Sequence, residues 1–331
     1  MREALFYEKT DNKIVRCRLC PHNCVINEGK SGLCKVRRNV SGVLYSAIYA
    51  EITSCGLDPI EKKPLYHFYP GHQILSIGTK GCNFACTFCQ NWTLSQNPDA
   101  PSEEVLPDKI VETAQKEGSF GIAYTYTEPF VWYEYVKETS KIARSKGLKN
   151  VLVTNGYVKE EPLLELLPYI DAVNIDIKSM DDSFYKDMCG ASRDPVLRTA
   201  EMCYANSCHV EITNLVISTL NDSPGHFEKL RDWICDHLSP SVPLHFSRYF
   251  PTYKLSLPPT PVSVLEEAYK IAKEKMMYVY LGNVGGGSWD STYCPDCSSL
   301  LVSRSGYAAE KIGIKENACS KCGRTADIIG L

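Results

Sequence analysis

Cysteine is the residue type that most clearly points to chemistry in this chain, which carries 16 cysteines in 331 residues. Most of them fall into three groups of short spacing. These groups are Cys17, Cys20, Cys24 and Cys34 near the start, Cys82, Cys86 and Cys89 in the middle, and Cys294, Cys297, Cys319 and Cys322 near the end. A chain of this length does not need disulfides, and such spacings are typical of metal ligation in a reducing compartment. The cysteines therefore predict metal centres.

The central group lies in the stretch KGCNFACTFCQNW, a CxxxCxxC loop that directly follows a predicted strand. Three thiolates in so short a loop can hold three irons of a cubane cluster and leave the fourth iron with an open coordination position. An open iron can bind a substrate or a cofactor. On spacing alone, a zinc loop or a chance cluster is the alternative. The isolated cysteines Cys55, Cys189, Cys203, Cys208 and Cys235 are interpreted as structural thiols, of which Cys55 lies nearest the loop in sequence.

The elements that must position this loop are repeated βα units, because short β-branched apolar runs alternate with amphipathic stretches across residues 73–284. Strands are predicted at 74–79, 121–125, 150–154, 172–177, 209–217, 242–246 and 278–281. Helices are predicted at 108–117, 130–146, 195–206, 224–237 and 262–275. About six repeats favour an incomplete barrel, with an open doubly wound sheet as the alternative, and both folds bind ligands at the carboxyl ends of the strands.

The two terminal cysteine groups predict small metal-bound modules. Cys294, Cys297, Cys319 and Cys322 stand as CPDC and CSKC, the paired knuckles of a zinc ribbon or rubredoxin-like site, and zinc is favoured over iron. Cys17, Cys20, Cys24 and Cys34 fit zinc or an auxiliary iron–sulfur cluster. The predicted fold is thus α/β: a partial (β/α)6-type barrel at 73–284, a cysteine-rich module and lead-in at 1–72, and a zinc-ribbon or rubredoxin-like module at 285–331.

The net charge and the hydropathy of the chain bear on its binding partners and its location. The formal net charge of -3 and the isoelectric point near 6.2 give no general attraction to nucleic acid or to an anionic membrane. No apolar run is long enough to span a bilayer and the first residues are polar, so we expect a cytoplasmic protein. A non-catalytic zinc-binding adaptor is the alternative to an enzyme. It would be colourless and contain zinc alone, whereas a cluster enzyme is brown and sensitive to oxygen.

The central loop, with Phe88 before its last cysteine, resembles the defining loop of the radical S-adenosylmethionine (SAM) superfamily. Nearly the whole chain, including GLDPIEKKPLYHFYPG and CQNW, resembles the AmmeMemoRadiSam system radical SAM proteins, which are related to pyruvate formate-lyase activating enzymes. The resemblance implies a [4Fe-4S] cluster, SAM bound at its open iron, and a 5'-deoxyadenosyl radical that abstracts hydrogen from a substrate. That substrate is either a protein glycine or a small molecule, and the electron donor is a protein such as flavodoxin or ferredoxin.

The same resemblance assigns SAM contacts to residues at the ends of the later strands. Thr127 and Glu128 match the stretch that meets the SAM amino group, although the usual glycine pair is absent here. Thr154 and Asn155 match the loop near the ribose and the methionine carboxylate. A solvated glutamate at a helix start is the alternative for Glu128.

Three further elements complete the predicted cofactor contacts. Asp176 and Lys178 match the DxK element of the activating enzymes, with a structural ion pair as the alternative interpretation. Asn214 and His245 lie on the fifth and sixth predicted strands, and for His245 a hydrogen-bonded core histidine is the alternative. Phe88 belongs to the cluster loop itself.

Overall fold

An eight-stranded sheet forms the centre of the molecule, whose structure, a computed structural model, describes residues 1–285 and 288–331. Its strands are β1 (Ser54–Pro59), β2 (Gln73–Gly78), β3 (Gly121–Tyr124), β4 (Lys149–Thr154), β5 (Ala172–Asp176), β6 (His209–Val216), β7 (Leu244–Arg248) and β8 (Val279–Gly282). β1 pairs antiparallel with β2, and every other pair is parallel and joins consecutive strands. Within the described residues β1 and β8 are the two edges, so the sheet does not close.

This strand order decides between the two predicted architectures. A doubly wound sheet reverses its strand order at a switch point, whereas a barrel adds each new strand on the same side. Here the order from β1 to β8 follows the chain without reversal. The prediction of a partial barrel is confirmed, with six βα units between β2 and β8.

Six helices of seven or more residues connect the parallel strands and cover the sheet, and two short helical turns, Trp92–Ser95 and Asp182–Phe184, lie in the loops after β2 and β5. The six helices are α1 (Pro107–Lys116), α2 (Tyr133–Ser145), α3 (Glu160–Leu166), α4 (Asp194–Ala205), α5 (Pro224–His237) and α6 (Val262–Lys273). Their starts follow helix-capping chemistry: a proline stands in the first turn of α1, α4 and α5, and the Ser223 hydroxyl accepts from the His226 amide before α5. The apolar faces of the helices pack on strands that are buried on both sides, which explains why the strands read as continuous apolar runs.

The predicted elements agree with this fold except in three places. The helix α3 and the strand β1 were not predicted, because α3 is only two turns long and β1 holds only two apolar residues among serine, glycine, aspartate and proline. A single π-helical turn, Tyr185–Cys189, follows β5 and was also not predicted. Such a turn often marks a functional site in a helix.

The first 46 residues form two small three-stranded antiparallel sheets packed beside the barrel. One contains Arg2–Glu3, Val43–Ser46 and Arg37–Val40, and the other contains Tyr7–Lys9, Val15–Cys17 and Val25–Ile26. A two-stranded pair, Glu51–Ile52 with Glu103–Glu104, links this module to the chain before α1. The predicted division at residue 72 stays a prediction, and β1 within that segment extends the barrel sheet.

A buried ion pair joins the first module to the barrel. Nη1 of Arg37 lies 3.0 Å from Oε1 and 3.1 Å from Oε2 of Glu134 on α2, and both side chains are buried. The same carboxylate accepts from the Leu5 amide at 2.7 Å, and Arg37 Nη2 donates to the Leu5 carbonyl at 2.6 Å. Removing either charge would leave its partner buried and unpaired, which typically costs 3–5 kcal/mol.

The last module is a three-stranded sheet, Thr292–Tyr293, Leu300–Ser305 and Ala308–Lys311, followed by the two-stranded Ile314–Lys315 and Ala318–Cys319. It packs against the lead-in, the segment 60–72 between β1 and β2, where Arg304 donates to the Tyr66 carbonyl at 2.6 Å. Part of the predicted boundary, Gly286 and Gly287, lies outside the described residues. Within the described ranges, none of the helices combines the length and the apolar character that crossing a bilayer requires.

Candidate active site

A cavity of about 620 Å³ opens at the carboxyl ends of the barrel strands. This volume is within the range of small-molecule and cofactor sites. Ten of the predicted site residues line it: Cys82, Cys86, Phe88, Cys89, Thr127, Thr154, Asn155, Asp176, Lys178 and His245. They come from four different strands and the cluster loop, as expected for a barrel that builds its site at the carboxyl side of its strands.

The cluster loop is fixed by contacts to its sulfurs and backbone. Cys82 Sγ accepts from the Phe84 amide at 3.3 Å and from Asn155 Nδ2 at 3.6 Å, and Cys89 Sγ lies 3.3 Å from Ser95 Oγ. Burial raises the pKa of Cys82 well above the ordinary thiol value. Because burial disfavours an unpaired thiolate, Cys82 would be deprotonated only with a cation beside it, as in a bound cluster.

Three cysteine ligands on one short loop fit a cubane cluster by their number. Each cysteine of a cubane binds one iron, so three cysteines leave the fourth iron with an open position. Among the described residues, the cysteine set whose sulfurs all lie within 4.8 Å of one another, as a single tetrahedral ion requires, is the C-terminal one. Cys82, Cys86 and Cys89 would hold a [4Fe-4S] cluster.

Glu128 lies behind the cavity wall and not on it, which differs from the predicted direct contact with SAM. Its carboxylate is fully buried and accepts from the Phe130 amide, the Thr154 hydroxyl and the Asn155 amide at 2.8–2.9 Å. Burial raises the pKa of Glu128 to about 7, although the three hydrogen bonds favour the carboxylate. The carboxylate thus holds the turn after β4 in place, and Asn155 from that turn faces the cavity.

Asp176 and Lys178 form an ion pair on the cavity wall, with Lys178 Nζ 2.8 Å from Asp176 Oδ2. Burial alone would lower the pKa of Lys178, but the charge of Asp176 outweighs it and raises the pKa. The two interpretations of the DxK element are therefore compatible, because the pair is structural and also faces the site. Asn214 lies behind this pair: its Nδ2 donates to the carbonyls of Ile177 and Lys178 instead of lining the cavity.

His245 reaches the cavity from a buried network centred on Glu211. The Glu211 carboxylate accepts from His245 Nε2 at 2.6 Å, from His209 Nε2 at 3.0 Å, and from the backbone amides of Tyr66 and His67. Burial would raise the pKa of Glu211, but the hydrogen bonds from the two histidines dominate and hold it well below its usual range. His245 is therefore both a hydrogen-bonded core histidine and a cavity residue.

Five residues that were not predicted as site residues also line the cavity. Glu61 and Tyr66 from the lead-in, Asp290 from the region after β8, and Gly306 with Tyr307 from the last module line its far end. Glu61 is buried, its Oε1 lies 3.5 Å from Arg304 Nε, and its Oε2 has no hydrogen-bond partner. These residues come from outside the βα repeats, so periodicity alone could not place them.

Cys189 was interpreted as a structural thiol, but it lies against the cluster loop. It is fully buried at the end of the π-helical turn, and its thiol together with burial raises the pKa of Cys86. Its carbonyl also accepts from the Ala85 amide at 2.8 Å. The turn thus supports the loop that carries the three ligands.

The last cysteine group forms a closed four-sulfur site. Cys294, Cys297, Cys319 and Cys322 all lie within 4.8 Å of one another, with Cys294 and Cys322 sulfurs 3.6 Å apart and Cys297 and Cys319 sulfurs 3.6 Å apart. This spacing suits one tetrahedral metal ion. The prediction that these four cysteines come together at one site is confirmed, and the site could hold a metal ion. The first group, Cys17, Cys20, Cys24 and Cys34, lines a small separate cavity instead.

Comparison with known proteins agrees with the geometry. Residues 76–234 match the family model of the Radical SAM superfamily. The uncharacterized protein MJ0808 of Methanocaldococcus jannaschii is 47% identical over 335 residues, which cover 99% of this chain and 100% of that protein. The pyruvate formate-lyase 1-activating enzyme of Escherichia coli K12 is 23% identical over 163 residues, or 47% of this chain and 66% of that enzyme.

Solved structures show the same fold. The crystal structure of Streptococcus suis SuiB bound to S-adenosylmethionine has a TM-score of 0.51 at 13% identity, and covers 68% of this chain and 54% of that one. At this low identity, the comparison shows a similar fold and nothing about function. Together with the family match and the relative matched over 99% of this chain, the comparisons establish that this chain belongs to the radical SAM superfamily and is related to pyruvate formate-lyase activating enzymes.

Proposed function

We propose that this enzyme binds a [4Fe-4S] cluster on Cys82, Cys86 and Cys89, binds SAM beside it, and abstracts hydrogen from a substrate held at the far end of the same cavity. When bound, the cluster supplies the electron that cleaves the sulfonium of SAM to a 5'-deoxyadenosyl radical. The observation that carries the proposal is that a single cavity runs from the three cysteines to Glu61, Asp290 and Tyr307. One space can therefore hold the cofactor and the reacting group together.

The wall residues nearest the loop are suited to the polar groups of SAM. The Asp176 carboxylate can accept from an ammonium group, and Lys178 can pair with a carboxylate, since each faces the cavity. The side-chain amide of Asn155 has little hydrogen-bonding capacity left for SAM. Its Nδ2 already donates to Asn83 Oδ1 at 2.9 Å, and its Oδ1 accepts from the Tyr157 amide. Asn155 thus orients the loop more than it offers new hydrogen bonds, while Thr127 and Thr154 contribute hydroxyls at the wall.

Buried aromatic residues also form part of the cavity wall. Phe88 and Tyr66 are almost fully buried where they line the cavity, and His245 packs edge-on against Tyr66 with ring centroids 4.7 Å apart. Exclusion of water protects a reactive radical from side reactions. Positioning of the substrate C–H bond against the radical carbon is then the protein's main contribution.

Two substrate classes follow from different observations. A glycine of a partner protein is favoured by the kinship with activating enzymes. A small molecule is favoured by the far end of the cavity, because Gly306 and Tyr307 from the last module form a wall there. A protein substrate would have to insert a loop past this wall. The proposal therefore includes both a protein glycine and a small molecule as substrate classes.

The remaining partners follow from the chemistry. A low-potential protein such as flavodoxin or ferredoxin would deliver the electron. Zinc is the proposed metal of the closed site at Cys294, Cys297, Cys319 and Cys322. All 16 cysteines are free thiols in the structure, which suits the reducing cytoplasm.

Isotope transfer tests the substrate proposal. The reconstituted enzyme is reduced and incubated with SAM and with extract of fully deuterated cells, separated into protein and small-molecule fractions. Deuterium in 5'-deoxyadenosine with the protein fraction identifies a protein substrate, and deuterium with the small fraction identifies a small molecule. If SAM is still cleaved but neither fraction gives deuterium above the level of a Cys82→Ala control, hydrogen abstraction is contradicted.

A further inference from the structure

One buried tyrosine of the cavity wall has a hydroxyl group without a partner. Tyr66 lines the cavity and is 7% exposed, and no hydrogen bond joins its hydroxyl to another of the described residues. Every other buried tyrosine in the described ranges uses its hydroxyl in a hydrogen bond; these are Tyr124, Tyr133, Tyr135, Tyr157, Tyr185, Tyr249, Tyr278 and Tyr280. Because a buried tyrosine hydroxyl usually finds a partner, the exception indicates that the partner of Tyr66 is a molecule bound in the cavity.

The Tyr66 ring is held in place by its neighbours. Cζ of Arg304 lies 4.2 Å from its centroid, and the rings of His245 and Tyr280 each pack edge-on against it with centroids 4.7 Å away. The backbone amide of Tyr66 donates to Glu211 Oε2 at 3.0 Å, and its carbonyl accepts from Arg304 at 2.6 Å. The hydroxyl is therefore the polar group of Tyr66 that remains for a ligand, and packing fixes its position before the ligand binds.

The Tyr66 hydroxyl keeps its proton and is therefore a hydrogen-bond donor. Burial raises the pKa of Tyr66. The positive charge of Arg304 opposes this rise, whereas the negative charges of Asp290 and Glu61 add to it. A protonated phenol can donate to an oxygen or nitrogen acceptor of the ligand.

An acceptor at the same end of the cavity also lacks a partner. Asp290 lines the cavity, and among the described residues no donor reaches its buried Oδ1. Arg304 donates at 3.2 Å to the backbone carbonyl of Asp290 and not to its carboxylate. A free donor and a free acceptor at one end of a cavity fit a ligand that carries both kinds of group, and a hydroxyl group supplies both.

The elements that carry these two groups differ from those proposed for SAM. Asp176 and Lys178 stand at the carboxyl end of β5, whereas Tyr66 belongs to the lead-in and Asp290 to the region after β8. We propose that the Tyr66 hydroxyl donates a hydrogen bond to an oxygen of a small-molecule substrate that bears hydroxyl groups, and that Asp290 accepts a hydrogen bond from the same molecule. The role as a substrate contact rests on the proposed function, whereas the lack of a structural partner for Tyr66 does not.

The first test needs neither cluster nor SAM. Tyr66→Phe removes a hydroxyl that bonds to no protein group, so it should leave the urea midpoint of unfolding unchanged. Tyr280→Phe is the matched control, because this neighbouring hydroxyl bonds to His67 Nε2 at 2.6 Å and to Thr292 Oγ1 at 2.8 Å. It should lower the midpoint. An equal loss in Tyr66→Phe would show that its hydroxyl has a structural partner, and would overturn the proposal.

The second test follows deuterium from the small-molecule fraction of fully deuterated cells into 5'-deoxyadenosine. Tyr66→Phe and Asp290→Ala should each need about five to ten times more of this fraction for half-maximal transfer, while Tyr66→Phe binds SAM with unchanged affinity. Glu112→Ala, at an exposed ion pair with Lys109, should show no change. Acetylation of the fraction, which blocks hydroxyl donors, should abolish the transfer.

Four results of the second test would overturn the proposal. They are equal transfer in Tyr66→Phe and the unmodified chain, weaker SAM binding in Tyr66→Phe, transfer that survives acetylation, and deuterium that comes from the protein fraction alone. If no form of the chain cleaves SAM, the proposed function falls and the substrate role of Tyr66 falls with it. The urea comparison of Tyr66→Phe and Tyr280→Phe still decides whether the hydroxyl lacks a structural partner.

Discussion

Replacing Glu211 with alanine should destabilise the barrel strongly, because the carboxylate is fully buried and accepts four hydrogen bonds. The backbone amides of Tyr66 and His67 have no other acceptor to turn to, and each buried unpaired donor costs about 1–3 kcal/mol. The two histidines can change tautomer, so loss of the carboxylate costs less free energy at these two side chains. We therefore expect Glu211→Ala to lower the free energy of unfolding by about 4 kcal/mol, a large share of the 5–15 kcal/mol typical of a domain.

The assay is urea unfolding of the protein without metal in the central site, followed by far-ultraviolet circular dichroism, since the six helices pack on the barrel sheet. Glu211→Gln keeps the shape and one acceptor oxygen and should lose about half as much. Glu112→Ala, at an exposed pair with Lys109, is the matched control and should change stability by less than about 0.5 kcal/mol. A loss below about 1 kcal/mol for Glu211→Ala would refute the assignment of Glu211 as the acceptor that joins lead-in and barrel.

Three further predictions follow from the site. Because the pKa of Glu211 is lowered in the folded state, its stabilisation is present above the unfolded value and lost as pH falls below about 4.5, so the acid-unfolding curve should be flatter in Glu211→Gln. Asp176→Asn leaves the Lys178 charge unpaired at the cavity and should weaken SAM cleavage at least tenfold, whereas Asp182→Asn, at an exposed pair, should not. Removing the metal from the last module by Cys297→Ser should expose residues 292–331 to proteolysis and hydrogen exchange, because such small modules fold with their metal; unchanged protection would contradict a structural metal there.

The sequence was sufficient for the features that are local and periodic. Alternation of apolar runs with amphipathic helices predicts the βα repeats, and the cysteine spacings predict the ligand groups. The rule that strand ends carry the site then places Cys82, Asn155 and Asp176 around one cavity. Each of these depends on residues close together in the chain or on a general property of parallel strands.

The features that were missed depend on contacts between distant parts of the chain. Glu61 and Tyr307 line the same cavity only because the last module docks on the segment before β2. Glu128 is the residue type expected for a SAM contact, but its carboxylate accepts hydrogen bonds from the turn after β4. No pattern in the sequence distinguishes a carboxylate that faces the cavity from one that lies behind its wall. Cys189 lies against Cys86 because a π-helical turn after β5 brings it there, and such turns have no reliable sequence signature.

The most direct test of the central claim is cleavage of SAM by the reduced protein. The chain is reconstituted with iron and sulfide under anaerobic conditions, reduced with dithionite and given SAM, and 5'-deoxyadenosine and methionine are measured. We expect a brown protein that forms both products in equal amounts, with no product from Cys82→Ala, Cys86→Ala, Cys89→Ala protein and normal product from the control Cys235→Ala. A colourless chain that holds only zinc, or a triple variant that still cleaves SAM, would contradict the account.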